Sequence, residues 1–91
     1  MIPEEMVHCD KAKLPNAAGV LTALCSKKLR NVRSIVEVTE CADIKKTVEE
    51  NAAGWATHCD GYLEYWIFVS DDFAERQRVL TKAKQGRLLG E

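Results

Sequence analysis

The sequence predicts an α+β fold (mixed α/β) in which three helices pack on a small two- to three-stranded sheet, in the order (β)-α-β-α-β-α. Residues 62–69 form an almost wholly apolar run, and residues 34–39 are rich in β-branched side chains. Apolar residues recur at helical spacing in the segments before, between and after these two runs. Short strands that alternate with amphipathic helices are typical of a mixed domain, and we expect residues 1–91 to form a single one.

The N-terminal part of the chain is polar. Residues 1–13 predict a short edge strand around Val7 or a flexible arm. A helix is then expected over residues 16–31, because Asn16 suits an N-cap and apolar residues follow at helical spacing. The apolar stripe of this helix would consist of Val20, Leu21, Leu24, Cys25 and Leu29.

The middle of the chain predicts a strand followed by a helix. Residues 34–39, Ser-Ile-Val-Glu-Val-Thr, are β-branched and short, which favours a strand. Asp43 can cap the helix that follows. Its apolar stripe would consist of Ile44, Val48, Ala52 and Trp55.

The stretch from residue 61 to residue 80 is expected to organise the fold. Residues 62–69 place large apolar groups on both faces of a strand, which is typical of a central strand covered on both sides. Ser70 or Asp71 can cap a following helix over about residues 72–85, and Gly86 is its expected end.

Strand number bears on the oligomeric state. Two strands joined through a helix are expected to run parallel, and a two-stranded sheet is marginal by itself. Either the N-terminal strand or a second copy of the chain would have to complete the sheet. A homodimer is therefore one expectation.

Composition places the chain among ordinary globular proteins, with 46% hydrophobic and 30% charged residues. No apolar run approaches the roughly 20 residues of a membrane helix, so we expect no membrane partner. The start, Met-Ile-Pro-Glu-Glu, lacks the features of a signal peptide, which predicts a cytoplasmic location. In that reducing setting, Cys9, Cys25, Cys41 and Cys59 are expected to be free thiols.

Charge is sorted into blocks along the chain. Residues 11–36 carry six basic residues and no acid, residues 37–75 carry ten acids and two lysines, and residues 76–90 carry five basic residues and no acid. Either the blocks neutralise one another, or the basic segments form one positive face that steers towards phosphates or an acidic protein surface.

Small size, blocks of charge and the absence of catalytic motifs favour a non-enzymatic protein-interaction module. We expect a regulatory, inhibitor or adaptor protein, of the kind that phages and mobile elements often encode, which binds a larger protein or nucleoprotein complex. The expected partner-binding residues are Arg76, Arg78, Lys82, Lys84, Tyr62 and Trp66.

Nucleic-acid binding is the first alternative. It would use the last helix together with Lys27, Lys28, Arg30 and Arg33. Platforms for single-stranded nucleic acid interleave exposed rings with basic residues. Here all the aromatic residues lie between residues 55 and 73, within the acidic block, which favours a protein partner.

A repeated tripeptide suggests a second alternative. His-Cys-Asp occurs at residues 8–10 and again at residues 58–60. Cysteine and histidine suit tetrahedral zinc, so His8, Cys9, His58 and Cys59 could form a zinc site if the two tripeptides meet. Neighbouring residues of an extended chain point to opposite sides, which disfavours the zinc site and also a Cys–His nucleophile within one tripeptide. We therefore expect no enzyme and no cofactor, with zinc as the exception.

Overall fold

The computed structural model describes residues 2–27, 32–59 and 61–88. The strands are β1 (Val7–Cys9), β2 (Gly19–Lys27), β3 (Val32–Cys41) and β4 (Tyr62–Val69). The helices are α1 (Ile44–Thr57) and α2 (Phe73–Leu88), and a single 3-10 turn covers Lys11–Lys13.

The four strands form one sheet in the order β1-β4-β2-β3, and every neighbouring pair is antiparallel. The α+β class is confirmed, but the predicted three helices on a two- to three-stranded sheet are wrong. The described chain has two α-helices and a four-stranded sheet. Because β1 and a further strand complete the sheet within one chain, the sequence-based reason for a homodimer no longer applies.

Within the helix expected over residues 16–31, residues 19–27 form the strand β2 instead, and residues 28–31, including the predicted Leu29, lie outside the described part of the chain. Residues 20–26 of β2 are all buried, with Val20 and Leu21 on opposite faces. A continuous apolar run with a central Thr22 fits a doubly covered strand as well as it fits a helix, and periodicity alone does not separate the two. Asn16 does not begin a helix. Its side-chain amide donates instead to both carboxylate oxygens of Asp43, at 3.3 Å.

β3 and β4 run in the same direction, as expected of strands joined through a helix. They are not neighbours, because both pair with β2, which lies between them. The unit β3-α1-β4 is therefore a split β-α-β arrangement. β4 is an inner strand, covered on both faces as predicted, with β1 along its other side.

Each helix covers one face of the sheet. On the first face, Ile44, Val48 and Trp55 of α1 pack against Leu21 and Tyr65, among others. On the second face, Val79 and Ala83 of α2 pack against strand residues that include Val20 and Val38. The molecule thus consists of three layers, helix, sheet and helix, with a core on each side of the sheet.

Local capping explains where the helices begin. The Asp43 carboxylate accepts from the backbone N–H of Lys46 at 3.0 Å, which confirms the predicted cap of α1. α2 is capped by Asp72 and not by the predicted Ser70 or Asp71. The Asp72 carboxylate accepts from the backbone N–H of Ala74 at 2.9 Å. The helix continues to Leu88, past the expected end at Gly86. Within the described residues, neither helix is long and apolar enough to cross a membrane.

A disulfide joins Cys25 of β2 to Cys59, which follows α1. The prediction of four free thiols is therefore wrong for these two residues, and Cys9 and Cys41 are the free cysteines. The bond spans 34 residues of sequence, a separation for which the loss of chain entropy in the unfolded state stabilises a fold by about 3–4 kcal/mol. It ties the end of α1 to the central strand.

Two glycines provide a matched test of this packing. A Cβ at Gly19 would overlap the backbone oxygen of Phe68 and lie 2.9 Å from Cδ1 of Ile44, whereas a Cβ at Gly54 meets nothing within 4 Å. Gly19→Ala is expected to destabilise the fold by about 2 kcal/mol or more, and Gly54→Ala to stabilise α1 by up to about 1 kcal/mol. Urea unfolding of both variants measures this, and equal effects would contradict the described position of β2.

Candidate functional site

Arg76, the first of the predicted partner-binding residues, forms its hydrogen bonds with other residues of the same chain. Its Nε donates to Oε2 of Glu40 at 2.6 Å and its Nη1 donates to the backbone oxygen of Ser70 at 3.1 Å. Gln77 donates to the other oxygen of Glu40 at 3.0 Å. With only 15% of its side chain exposed, Arg76 joins α2 to β3 and offers little surface to a partner.

Arg78 and Lys82 bind the N-terminal segment. Both donate to Oε2 of Glu5, at 2.7 and 2.8 Å, and Arg78 also donates to Glu75 at 2.7 Å. The hydrogen bonds from Lys82 and then Arg78 lower the pKa of Glu5 from 4.5 to about 2. The hydrogen bonds to Glu75 and Glu5 raise the pKa of Arg78. These pairs show the basic block of α2 neutralised in part by acids elsewhere in the chain.

The other predicted partner-binding residues differ in exposure. Lys84 is exposed and makes no ion pair with a described residue. Tyr62 is 48% exposed. Trp66 is half-buried under α2, and its ring stacks edge-to-face with His8 at 5.5 Å between centroids. The structure therefore does not bring these six residues together as one open surface.

The four basic side chains that the nucleic-acid alternative adds to the last helix lie outside what the structure describes. Lys28 and Arg30 fall in the undescribed segment between β2 and β3. Lys27 and Arg33 belong to β2 and β3, but their side chains are outside the described set.

The residues of the zinc alternative are not brought together. His8 lies opposite Trp66, on the face that α2 covers, whereas Cys9 lies opposite Tyr65, on the face that α1 covers. Cys59 is bonded to Cys25, so its sulfur is not a free thiolate. Across the described ranges, no group of three or more His, Cys, Asp or Glu side chains could hold a metal ion.

Two grooves flank α1 where the helix leaves the sheet partly uncovered. One has a volume of about 580 Å³ and lies between α1 and the strands β1 and β4. We name it the alanine groove after the small side chains that α1 contributes to it. Its lining includes Ala52, Ala53, Ala56, Glu49, Cys9 and Tyr65.

The other groove, of about 520 Å³, lies between α1 and β3. We name it the acidic groove, because carboxylates border it on both sides and the described residues that line it include no lysine or arginine. Its lining includes Val36, Glu37, Glu50, Asn51, Gly54, Trp55 and His58.

A β-bulge shapes the acidic groove. Ala23 pairs with Glu37 but Leu24 pairs with Ile35, so Val36 is an extra residue in β3. Glu37 shares the α1 side of the sheet with Ala23, and Val36 packs against the same core. Consecutive residues of a regular strand point to opposite faces, and a bulge interrupts that alternation. Here it places two consecutive residues, Val36 and Glu37, at the same groove.

β3 is also an edge strand. It spans ten residues and pairs with β2 on one side, and no described strand pairs with its other side. In an antiparallel sheet, part of the backbone N–H and C=O groups of an edge strand point outward, where they can pair with another chain. The opposite edge, β1, is only three residues long.

Sequence reasoning missed this combination of edge and groove. The signal available was the pair of adjacent apolar residues Ile35 and Val36, which interrupts the alternation expected of a half-buried strand. The contribution of Glu50 could not be found that way, because it depends on how α1 crosses β3.

Comparison with known proteins finds no match: no protein-family model, no curated protein and no solved structure is significantly similar to this chain. Geometry and charge are therefore the basis of any functional proposal.

The Glu5 cluster predicts a specific pH dependence. The pKa of Glu5 is lower in the folded state, so its contribution to stability is present above pH 4.5 and is lost as the pH falls towards 2. Glu5→Gln should therefore destabilise the protein at neutral pH, and the difference from wild type should shrink between pH 4.5 and 2.

Urea unfolding at a series of pH values measures this difference, with the exposed neighbour substitution Glu4→Gln as the control. Because the three side chains are partly exposed, added salt should also reduce the difference. A difference that stayed constant from neutral pH down to pH 2 would contradict the ion pairing of Glu5.

Proposed function

We propose that this chain is a small non-enzymatic interaction module that binds a segment of a larger protein along the outer edge of β3. It would act as a regulatory, inhibitor or adaptor protein. The observation that carries the proposal is the ten-residue edge of β3, which no described strand covers and which lies next to the acidic groove.

Strand addition explains how such an edge gains affinity. Backbone hydrogen bonds from an extended segment pair with the outward N–H and C=O groups, and adjoining pockets select side chains. The edge is held in place because β3 is anchored from three sides: by β2, by α1, and through Glu40 by α2. A rigid template lowers the ordering cost that binding must overcome.

The cysteines support a non-catalytic role. Cys59 is bonded to Cys25, and burial raises the pKa of the Cys41 thiol, which disfavours the nucleophilic thiolate. Cys9 is half-buried at the alanine groove. His8 lies on the opposite face of the sheet, and His58 lines the acidic groove on the other side of α1, so neither histidine is positioned to activate the Cys9 thiol.

The cytoplasm is the location that we propose from the sequence, and the disulfide is the feature that weighs against it. Disulfides persist mainly in oxidising compartments. In a reducing cytoplasm, Cys25 and Cys59 would be thiols for much of the time, and α1 would then be held to β2 by packing alone.

The proposal is tested by affinity capture from lysate of the source cells, split into nuclease-treated and untreated halves. Two bulky substitutions on exposed positions of α1 serve as probes. Asn51→Arg fills the acidic groove, and Ala53→Arg fills the alanine groove. We expect wild type and Ala53→Arg to retain the same protein in both halves, and Asn51→Arg to lose most of it.

Two outcomes would contradict the proposal. Recovery that vanishes after nuclease treatment would favour the nucleic-acid alternative, with its basic residues as the contact. Equal recovery by Asn51→Arg and wild type would show that the partner binds away from β3 and the acidic groove.

A further inference from the structure

We infer that the segment bound at β3 is basic, with a lysine or arginine side chain seated in the acidic groove between Glu37 and Glu50. This inference rests on the proposed function and specifies the chemistry of the partner. Four features support it: groove carboxylates that pair with no described residue, an apolar lining, the open space beside Gly54, and a charge that disfavours a second copy as the occupant.

The two carboxylates of the acidic groove are available to a ligand. Neither Glu37 nor Glu50 makes a hydrogen bond or ion pair with another described residue. The other carboxylate of β3, Glu40, is on the opposite face and is already bound by Arg76 and Gln77. The fold therefore uses one acid of β3 to hold a helix and leaves the other at the groove.

The apolar lining of the groove suits the stem of a long cationic side chain. Trp55 is buried but contributes surface to the groove, beside Val36. The methylene carbons of lysine or arginine pack on apolar surface of this kind while the charged head stays near carboxylates.

Space for such a side chain comes from α1. Gly54 lines the groove, and nothing lies within 4 Å of the position that a Cβ would occupy there. The surface of α1 therefore has open space at Gly54, next to Trp55 and one helical turn after Glu50.

The same charges argue against a second copy as the occupant. The described side chains of β3, residues 34–41, include two carboxylates and no lysine or arginine. Pairing two β3 edges would bring the Glu37 side chains of both copies towards acidic grooves. Like charges placed opposite each other across an interface cost binding energy, whereas a basic segment gains it.

Neighbouring glutamates of α1 give a matched test. Glu50 lines the acidic groove and Glu49 lines the alanine groove, and both are exposed. The probe is a phage-displayed library of random decapeptides, selected on the immobilised full-length chain under non-reducing conditions. Parallel selections use Glu50→Lys, Glu49→Lys and Glu37→Lys, and amide chemical shifts map where the best selected peptide binds on the wild type.

We expect peptides enriched in lysine or arginine on wild type and Glu49→Lys, but not on Glu50→Lys or Glu37→Lys. The selected peptide should bind Glu50→Lys about tenfold more weakly than wild type, and should perturb the amides of β3. Glu50→Lys is a surface change, so the test does not depend on whether the half-buried Glu37 tolerates substitution.

The outcomes separate the inference from the proposed function. Peptides without basic enrichment that still shift the β3 amides would overturn the inference and leave the proposed function standing. Basic peptides that bind Glu50→Lys as well as wild type would also overturn the inference. A failure to select any peptide that shifts the β3 amides would overturn both.

Discussion

Burial of β2 on both faces is the constraint on which the rest of the structure depends. Val20, Leu21 and Ala23 have no exposed surface, and consecutive residues of the strand point to opposite sides. Each face therefore needs its own covering helix, which places α1 on one side and α2 on the other. Gly19 begins the strand where α1 and the β4 backbone approach too closely for a side chain.

The two helices are attached by different interactions, and this difference decides where the molecule presents open surface. α2 is held by the packing of Val79 and Ala83 and by ion pairs with Glu40 and Glu5, so three of its four described basic side chains are already engaged. α1 is held by its apolar stripe, by the disulfide at its end, and at its start by the backbone oxygens of Pro15 and Ala17. α1 covers only part of its face of the sheet and leaves a groove on each side of the helix. Beyond one groove lies the outer edge of β3, which the proposed strand addition would use.

Much of this fold could be predicted from local patterns, and the failures have physical reasons. α1 was found because its periodicity and its Asp43 cap agree. The aromatic strand was found from its apolar run, and α2 from its apolar spacing, although its cap is Asp72 and not Ser70 or Asp71. Residues 19–27 were misread as part of a helix because the spacing of Leu21, Leu24 and Cys25 fits a helix and a doubly buried strand equally well. The Cys25–Cys59 bond could not be anticipated, since which cysteines meet depends on the three-dimensional fold. The acidic groove was missed for the same reason, because Glu37 and Glu50 are brought to one site only by the β-bulge and the crossing of α1 over β3.

Residue-resolved hydrogen exchange of the free chain tests the central claim most directly, namely that β2 is the fully enclosed strand and β3 an open edge. Amides of β2 are bonded between two neighbouring strands and should exchange most slowly. Along β3, slow and fast amides should alternate, since those directed away from β2 face solvent. Uniformly slow exchange along β3 would contradict the account by showing that the edge is already covered, and fast exchange in β2 would contradict the described core.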